Sequence, residues 1–255
     1  MGRNFIWYRD LLFELVRREL KVKYKRSILG FIWSMLNPLL MMIVMTIVFS
    51  HLFRFSIKNY PIYLLSGIIF WNFFSTSTNL SSFSLISNAS LLKKVPFPRM
   101  LLIFSTVITQ FINLLFAFIP LILLMFVLKM PPKLSFLSLP IPFVSLLLFT
   151  LGVSLILSIL SAYFSDIAYI YQIVLLAWMY LTPIFYPPSI VPAKYQIFLT
   201  LNPMYHIIWS FREAIYFGIF PSGETLYFSL LFSFLVFLIG IWIFNKNINK
   251  VMYLL

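Results

Sequence analysis

Six apolar runs divide the chain, each close to the roughly 20 residues that cross a hydrocarbon core of about 30 Å. They extend from Phe31 to Phe53, Ile62 to Ser84, Met100 to Leu128, Phe143 to Phe164, Ala168 to Tyr186 and Leu226 to Phe244. Short polar or proline-bearing breaks separate them, and this pattern predicts an all-α integral membrane protein with six spans. Ahead of the first run the pattern changes. At 100° per residue Phe5, Tyr8, Leu12, Val16 and Leu20 form one stripe, opposite Arg3, Asp10, Glu14, Arg17, Arg18, Lys21 and Lys25. Such a helix is expected to lie in the membrane surface, although Arg9, Glu19 and Lys23 intrude on its apolar side. No continuous apolar core marks these first thirty residues as a cleavable signal.

One stretch does not follow the simple rule. Tyr195 to Gly218 is apolar enough to enter the bilayer but carries Pro203, His206, Arg212 and Glu213. Charge decides its reading. With six spans and the N-terminus inside, thirteen of the nineteen basic groups fall on the cytoplasmic side and six outside, as the positive-inside rule requires. A seventh span would weaken that bias and place Arg212 in lipid. Pro187 to Gly223 is therefore expected to be a broken, re-entrant pair of short helices dipping from the outer face. Non-helical backbone at that depth is tolerated only against protein or a water-filled cavity. Arg212 and Glu213 are expected to compensate each other as an ion pair. The chain reads as one domain: an interface helix (1–29), spans one to five (30–186), the outer re-entrant segment (187–223) and span six with its tail (224–255).

Composition sharpens this picture. Hydrophobic residues make up 62% of 255 and charged residues 10%, which leaves no room for a separate soluble catalytic domain. The net charge of +13 would suggest nucleic acid in a soluble protein. Against a bilayer it points to anionic lipid or a phosphorylated substrate instead. There is no cysteine, so disulfide and thiolate chemistry are excluded. The six acids include no Asp-x-Asp pair, and His51 and His206 stand apart without an acidic neighbour, so metal or acid–base chemistry has no assembled donor set. No glycine precedes a lysine, so a nucleotide-cradling P-loop is absent. Any energy is supplied from elsewhere.

Within the spans, polar and aromatic groups recur at helical spacing. Span two carries Asn72, Ser75, Asn79 and Ser82 on one side, a stripe that suits a neighbouring helix or a hydrated path. Trp33, Asn37 and Met41 in span one, and Tyr169, Gln172 and Tyr180 in span five, mix aromatic faces with amides. Such surfaces suit a sugar chain, which offers C–H groups to rings and hydroxyls to amides. The basic collar of Arg17, Arg18, Lys21, Lys25 and Arg26 suits a phosphorylated headgroup.

Four stretches together resemble the membrane subunit of type 2 ABC transporters, in the branch that exports lipid-linked polysaccharides such as O-antigen. The first is Arg18-Glu-Leu-Lys-Val-Lys-Tyr-Lys-Arg-Ser-Ile-Leu-Gly-Phe-Ile-Trp33 with Asn37-Pro38. The second is Tyr60-Pro61 through Gly67 to Trp71-Asn-Phe-Phe74. The third is Asn88-Ala-Ser-Leu-Leu-Lys-Lys-Val-Pro-Phe-Pro-Arg99, and the fourth is Leu181-Thr-Pro-Ile-Phe-Tyr186 with Leu201-Asn-Pro-Met204 and Phe211-Arg212. Pro96 departs from the pattern, since an aromatic is expected before Phe97-Pro98.

The resemblance implies a homodimer in the bacterial inner membrane, with both termini cytoplasmic, bound to two copies of a cytoplasmic ATPase. That ATPase holds ATP and Mg, and this chain holds no cofactor. It further implies that Asn88, Leu91, Leu92, Lys93, Lys94, Phe97 and Arg99 couple to the ATPase and that spans one and five border the conduit. The implied substrate is a glycan on an undecaprenyl diphosphate carrier. Teichoic acid export, small-molecule efflux by the same superfamily, and a membrane enzyme acting on polyprenyl phosphates remain open alternatives.

Overall fold

The computed structural model describes residues 2–25, 27–49, 57–94 and 97–254, with side chains from Ile6 onward. Arg26 of the expected collar, Phe5 of the expected stripe, His51 and Pro96 lie outside that description. Every regular element among the described residues is helical. α1 covers Gly2–Tyr24, α2 Ile32–Ile47, α3 Tyr60–Ser87, α4 Ala89–Lys94 and α5 Met100–Val127. α6 covers Pro140–Tyr163, α7 Asp166–Leu181, α8 Gln196–Thr200, α9 Pro203–Arg212 and α10 Gly223–Leu254.

Local chemistry sets these limits. α3 opens with Pro61 in its first turn, where the missing N–H is no loss. It closes at Asn88, whose Nδ2 donates to Ser84 O at 2.9 Å. α6 begins earlier than the expected Phe143, because Pro140 and Pro142 occupy its first turn instead of a loop. Asp166, expected at a break, begins α7, where a carboxylate suits the positive end of the helix dipole. α7 stops at Leu181, five residues before the expected Tyr186. Pro183 forces Thr182 into an extended conformation (φ −96°, ψ 131°). Asn202 caps α9 by accepting from Met204 N at 3.1 Å, with Pro203 following. α9 runs into one π turn, Glu213–Phe217, that ends on Gly218 at φ 64°.

Among the described residues three helices are long and apolar enough to cross a membrane: α5, α10 and the 134–163 run that ends with α6. α3 equals α5 in length at 28 residues but is diluted by its serines, threonines and asparagines. α2 and α7, at 16 residues each, rise only about 24 Å as helices.

α3 is the central post. Ile62, Leu64, Leu65, Phe70 and Phe74 are fully buried on it, and α2, α5, α6, α7 and α9 all pack around it. Phe70 meets Phe211 of α9 with ring centroids 4.0 Å apart, and Phe74 meets Trp178 of α7 edge-on at 5.2 Å. Edge-on and offset rings of this kind add stabilisation beyond area burial. Ser77 and Ser81, buried beside the expected polar stripe, let neighbouring helices approach.

The most extensive helix pair is α6 with α10, and it rests on two glycines. A Cβ at Gly152 would lie 2.5 Å from Val236 O, and one at Gly240 would lie 2.5 Å from Gly152 O. The two backbones are in direct contact, as small-residue crossings in membranes allow.

Candidate functional site

Within the segment expected to couple to a partner, Ala89–Lys94 forms the short helix α4. α4 buries Leu92, half-buries Leu91 and presents Lys93 and Lys94 outward. It is held from both sides. Arg18 of α1 donates to Asn88 Oδ1 at 3.0 Å, and Arg99 donates to Asn249 Oδ1 of α10 at 2.9 Å. Phe97 packs against the core. Two residues expected to meet ligands therefore also tie α4 to its neighbours: Arg18 belongs to the same knot as Asn88, and Arg99 anchors the start of α5. Arg17, Lys21 and Lys25 remain exposed on α1, with Arg17 3.7 Å from Glu14.

The stripe expected on α1 holds in part: Val16 is buried and Leu12 and Leu20 are half-buried. Tyr8 is exposed, and the buried edge runs through Leu15 and Val16. The residues that intrude on that edge are the ones that dock it. Glu19 accepts from Ser105 Oγ at 2.9 Å and Thr106 Oγ1 at 3.1 Å. Lys23 donates to Gln110 Oε1 at 3.2 Å, and Tyr24 OH to Asn113 Oδ1 at 2.7 Å. The partners advance in step on both helices, so the end of α1 climbs parallel to α5 along a polar ladder.

Burial raises the Glu19 pKa above the usual carboxylate range, against hydrogen bonds from Ser105 and Thr106 and the charge of Arg18 that lower it. A raised pKa in the folded state means that the contribution of this group is largest below the ordinary carboxylate pKa. It is lost as pH rises through the raised value. Glu19→Gln keeps an acceptor without the charge. Its thermal midpoint is expected to exceed that of the parent by about 2–4 °C at pH 8 and to match it at pH 4. Paired melting curves at the two pH values check this.

The six conduit candidates lie on two separate surfaces. Trp33, Asn37 and Met41 are exposed on α2, which packs on α3 and α5. Tyr169, Gln172 and Tyr180 are exposed on α7, which packs on α3 and α6. Within this chain α2 and α7 pack on different sides of α3, and the two faces do not form a common wall among the described residues.

Beyond α7 the backbone is irregular, and its carbonyls are individually satisfied. Arg212, fully buried, donates from Nη1 to Pro183 O at 2.6 Å and from Nη2 to Ile184 O at 2.8 Å and Tyr63 O at 3.0 Å. Its Nε reaches Ser66 Oγ at 3.3 Å, and its guanidinium lies 3.6 Å from the centre of the Tyr63 ring. Tyr60 OH donates to Phe185 O at 2.7 Å and Tyr63 OH to Tyr186 O at 2.9 Å. The four carbonyls from 183 to 186 thus each have a donor, as burial of non-helical backbone demands. Gly67 makes room, since a Cβ there would meet Arg212 Nη2 at 2.7 Å. The expected ion pair is absent: Glu213 instead accepts from Thr225 Oγ1 at 2.8 Å and Ser222 N at 3.3 Å. His206 is packed, with Nε2 2.7 Å from Thr200 O.

Residues 10–216 match the family described as ABC-2 type transporter. The chain belongs to that family. It is 34% identical over 249 residues to the O-antigen export system permease protein RfbA of Klebsiella pneumoniae, covering 96% of this chain and 95% of that protein. To the protein of the same name from Myxococcus xanthus it is 34% identical over 230 residues, covering 88% and 87%. The polysialic acid transport protein KpsM of Escherichia coli is 22% identical over 236 residues, covering 91% and 92%.

For this ABC-2 chain, two features escaped the sequence reading. The carbonyl-capping role of Arg212 was signalled only by a charge within the apolar stretch Tyr195 to Gly218. The α1–α5 ladder was signalled more clearly, because Ser105, Thr106, Thr109, Gln110 and Asn113 place a polar face on an otherwise apolar span.

Proposed function

We propose that this chain is the membrane-spanning permease subunit of an ATP-driven exporter of lipid-linked polysaccharide, O-antigen in type. The similarity to the RfbA proteins over nearly the whole length of both chains carries the reading. In this account the protomer has six spans: α2, α3, α5, α6, α7 and α10. Residues 187–223 form the outer re-entrant segment, both termini are cytoplasmic, and all 255 residues make one transmembrane domain of the inner membrane. Two copies assemble with two ATPase subunits, which bind ATP and Mg. The exposed faces of α2 and α7, separate within a protomer, meet across the twofold axis and wall the conduit with Trp33, Asn37, Met41, Tyr169, Gln172 and Tyr180. ATPase closure pushes on α4 and α1, and the ladder passes that movement to α5.

Deleting the gene is expected to abolish surface polysaccharide while lipid-linked glycan accumulates inside the cell. Undiminished surface glycan in the deletion strain overturns the assignment. Lys93→Ala with Lys94→Ala removes both outward charges of α4 and keeps the packed Leu91 and Leu92. It is expected to lower export by about tenfold or more while the ATPase continues to turn over, as measured by export per ATP hydrolysed in proteoliposomes.

A further inference from the structure

A groove of about 320 Å³ opens where α1, α2, α3 and α5 converge, within the size range of small-ligand sites. Lys23 and Tyr24 border it from α1, Trp33 and Asn37 from α2, and Asn72 and Thr76 from α3. Gln110 and Asn113 form its floor, joined to each other at 3.0 Å and to Lys23 and Tyr24 by the ladder. Among the described residues its lining includes one cation, several amides and hydroxyls, and no carboxylate. The nearest acid on α1, Glu19, is turned onto Ser105 and Thr106. Along α5, Gln110 lies about 15 Å from the helix start, so Lys23 is carried well up the bundle. There Lys23 keeps part of its surface exposed but is desolvated enough to lower its pKa, and an anion would relieve that cost. From the mouth of the groove the surface of α2 continues as exposed Leu40, Ile43 and Val44. A ligand with an anionic head and a hydrocarbon tail matches both halves.

We propose that this groove binds the phosphate of a membrane lipid, with Lys23 as the charged contact and Asn37, Asn72 and Thr76 as neutral partners. The exposed collar of Arg17, Lys21 and Lys25 then serves to attract the headgroup, and the groove holds it. Assigning the lipid as the polyprenyl diphosphate carrier rests on the exporter reading above. The phosphate chemistry of the site does not.

The test uses the full chain in phosphatidylcholine nanodiscs, titrated with radiolabelled undecaprenyl diphosphate. Saturable binding is expected. Lys23→Gln is expected to weaken it at least tenfold, Asn37→Ala a few-fold, and Lys23→Arg no more than about threefold. Size exclusion and melting curves establish that each variant is folded. Competition by phosphatidylglycerol at equal mole fraction would assign the groove to phospholipid headgroups in general, and resistance to it would assign the diphosphate carrier. Both outcomes support a phosphate site. Equal binding by the parent and Lys23→Gln, or no saturable binding of either lipid, overturns it. Surface glycan in the deletion strain is scored separately. Loss of export on deletion with no Lys23-dependent binding sinks the groove alone, and the reverse result sinks the exporter reading alone.

Discussion

Arg212→Met is expected to lower stability by about 3 kcal/mol or more, because it leaves the Pro183, Ile184 and Tyr63 carbonyls buried without their donor. For a chain of this size that corresponds to a fall in thermal midpoint of roughly 6–12 °C. Arg212→Lys is a sharper comparison. It keeps the charge but loses the planar fork that serves several acceptors at once and stacks on Tyr63. Less than half of the loss should be recovered. Limited proteolysis adds a positional readout, since the first new cleavages are expected near residues 182–190, where the unwound backbone loses its tether. A midpoint within 2 °C of the parent for Arg212→Met would show that those carbonyls find other partners.

The second large effect is expected at the α6–α10 crossing. Gly152→Leu places a side chain where Val236 backbone atoms already lie within 2.7 Å of a Cβ. The helices must separate, and the loss should equal or exceed the roughly 1–3 kcal/mol of ordinary overpacking. Even Gly240→Ala should be costly, because the obstacle is the backbone of Gly152 and not a flexible side chain. Gly223→Ala supplies the control. A Cβ there meets nothing within 4 Å, so its midpoint should match or slightly exceed that of the parent. Melting curves of the three variants side by side check the ordering.

Much of this architecture was legible from hydrophobic patterning. The 28-residue α5 follows directly from an uninterrupted apolar run, whereas α10 outlasts its run, continuing from the expected Phe244 through the polar tail to Leu254; Asn88 and Asp166 sit where helices end and begin. What was misjudged depended on atoms far apart in the chain. Pro183 ends α7, yet nothing local says that an arginine some thirty residues later caps the carbonyls that follow. The Arg212 and Glu213 side chains are adjacent in sequence, but consecutive helical residues point apart, so each met a different partner. The apolar stripe of α1 was legible at Leu12, Val16 and Leu20, whereas Tyr8 is exposed and Leu15 joins the buried edge, where Glu19 and Lys23 find polar partners on α5. The candidate coupling residues were readable as a basic segment, whereas the hydrogen bonds from Arg18 and Arg99 that hold it were not.

The glycine contact between α6 and α10 also divides the protomer mechanically. Backbones that touch leave no slack for sliding, so these two helices behave as a single rigid buttress. Shape change then falls to the pieces with less grip, the shorter helices α2 and α7. One half of the subunit is a fixed jamb and the other a swinging leaf.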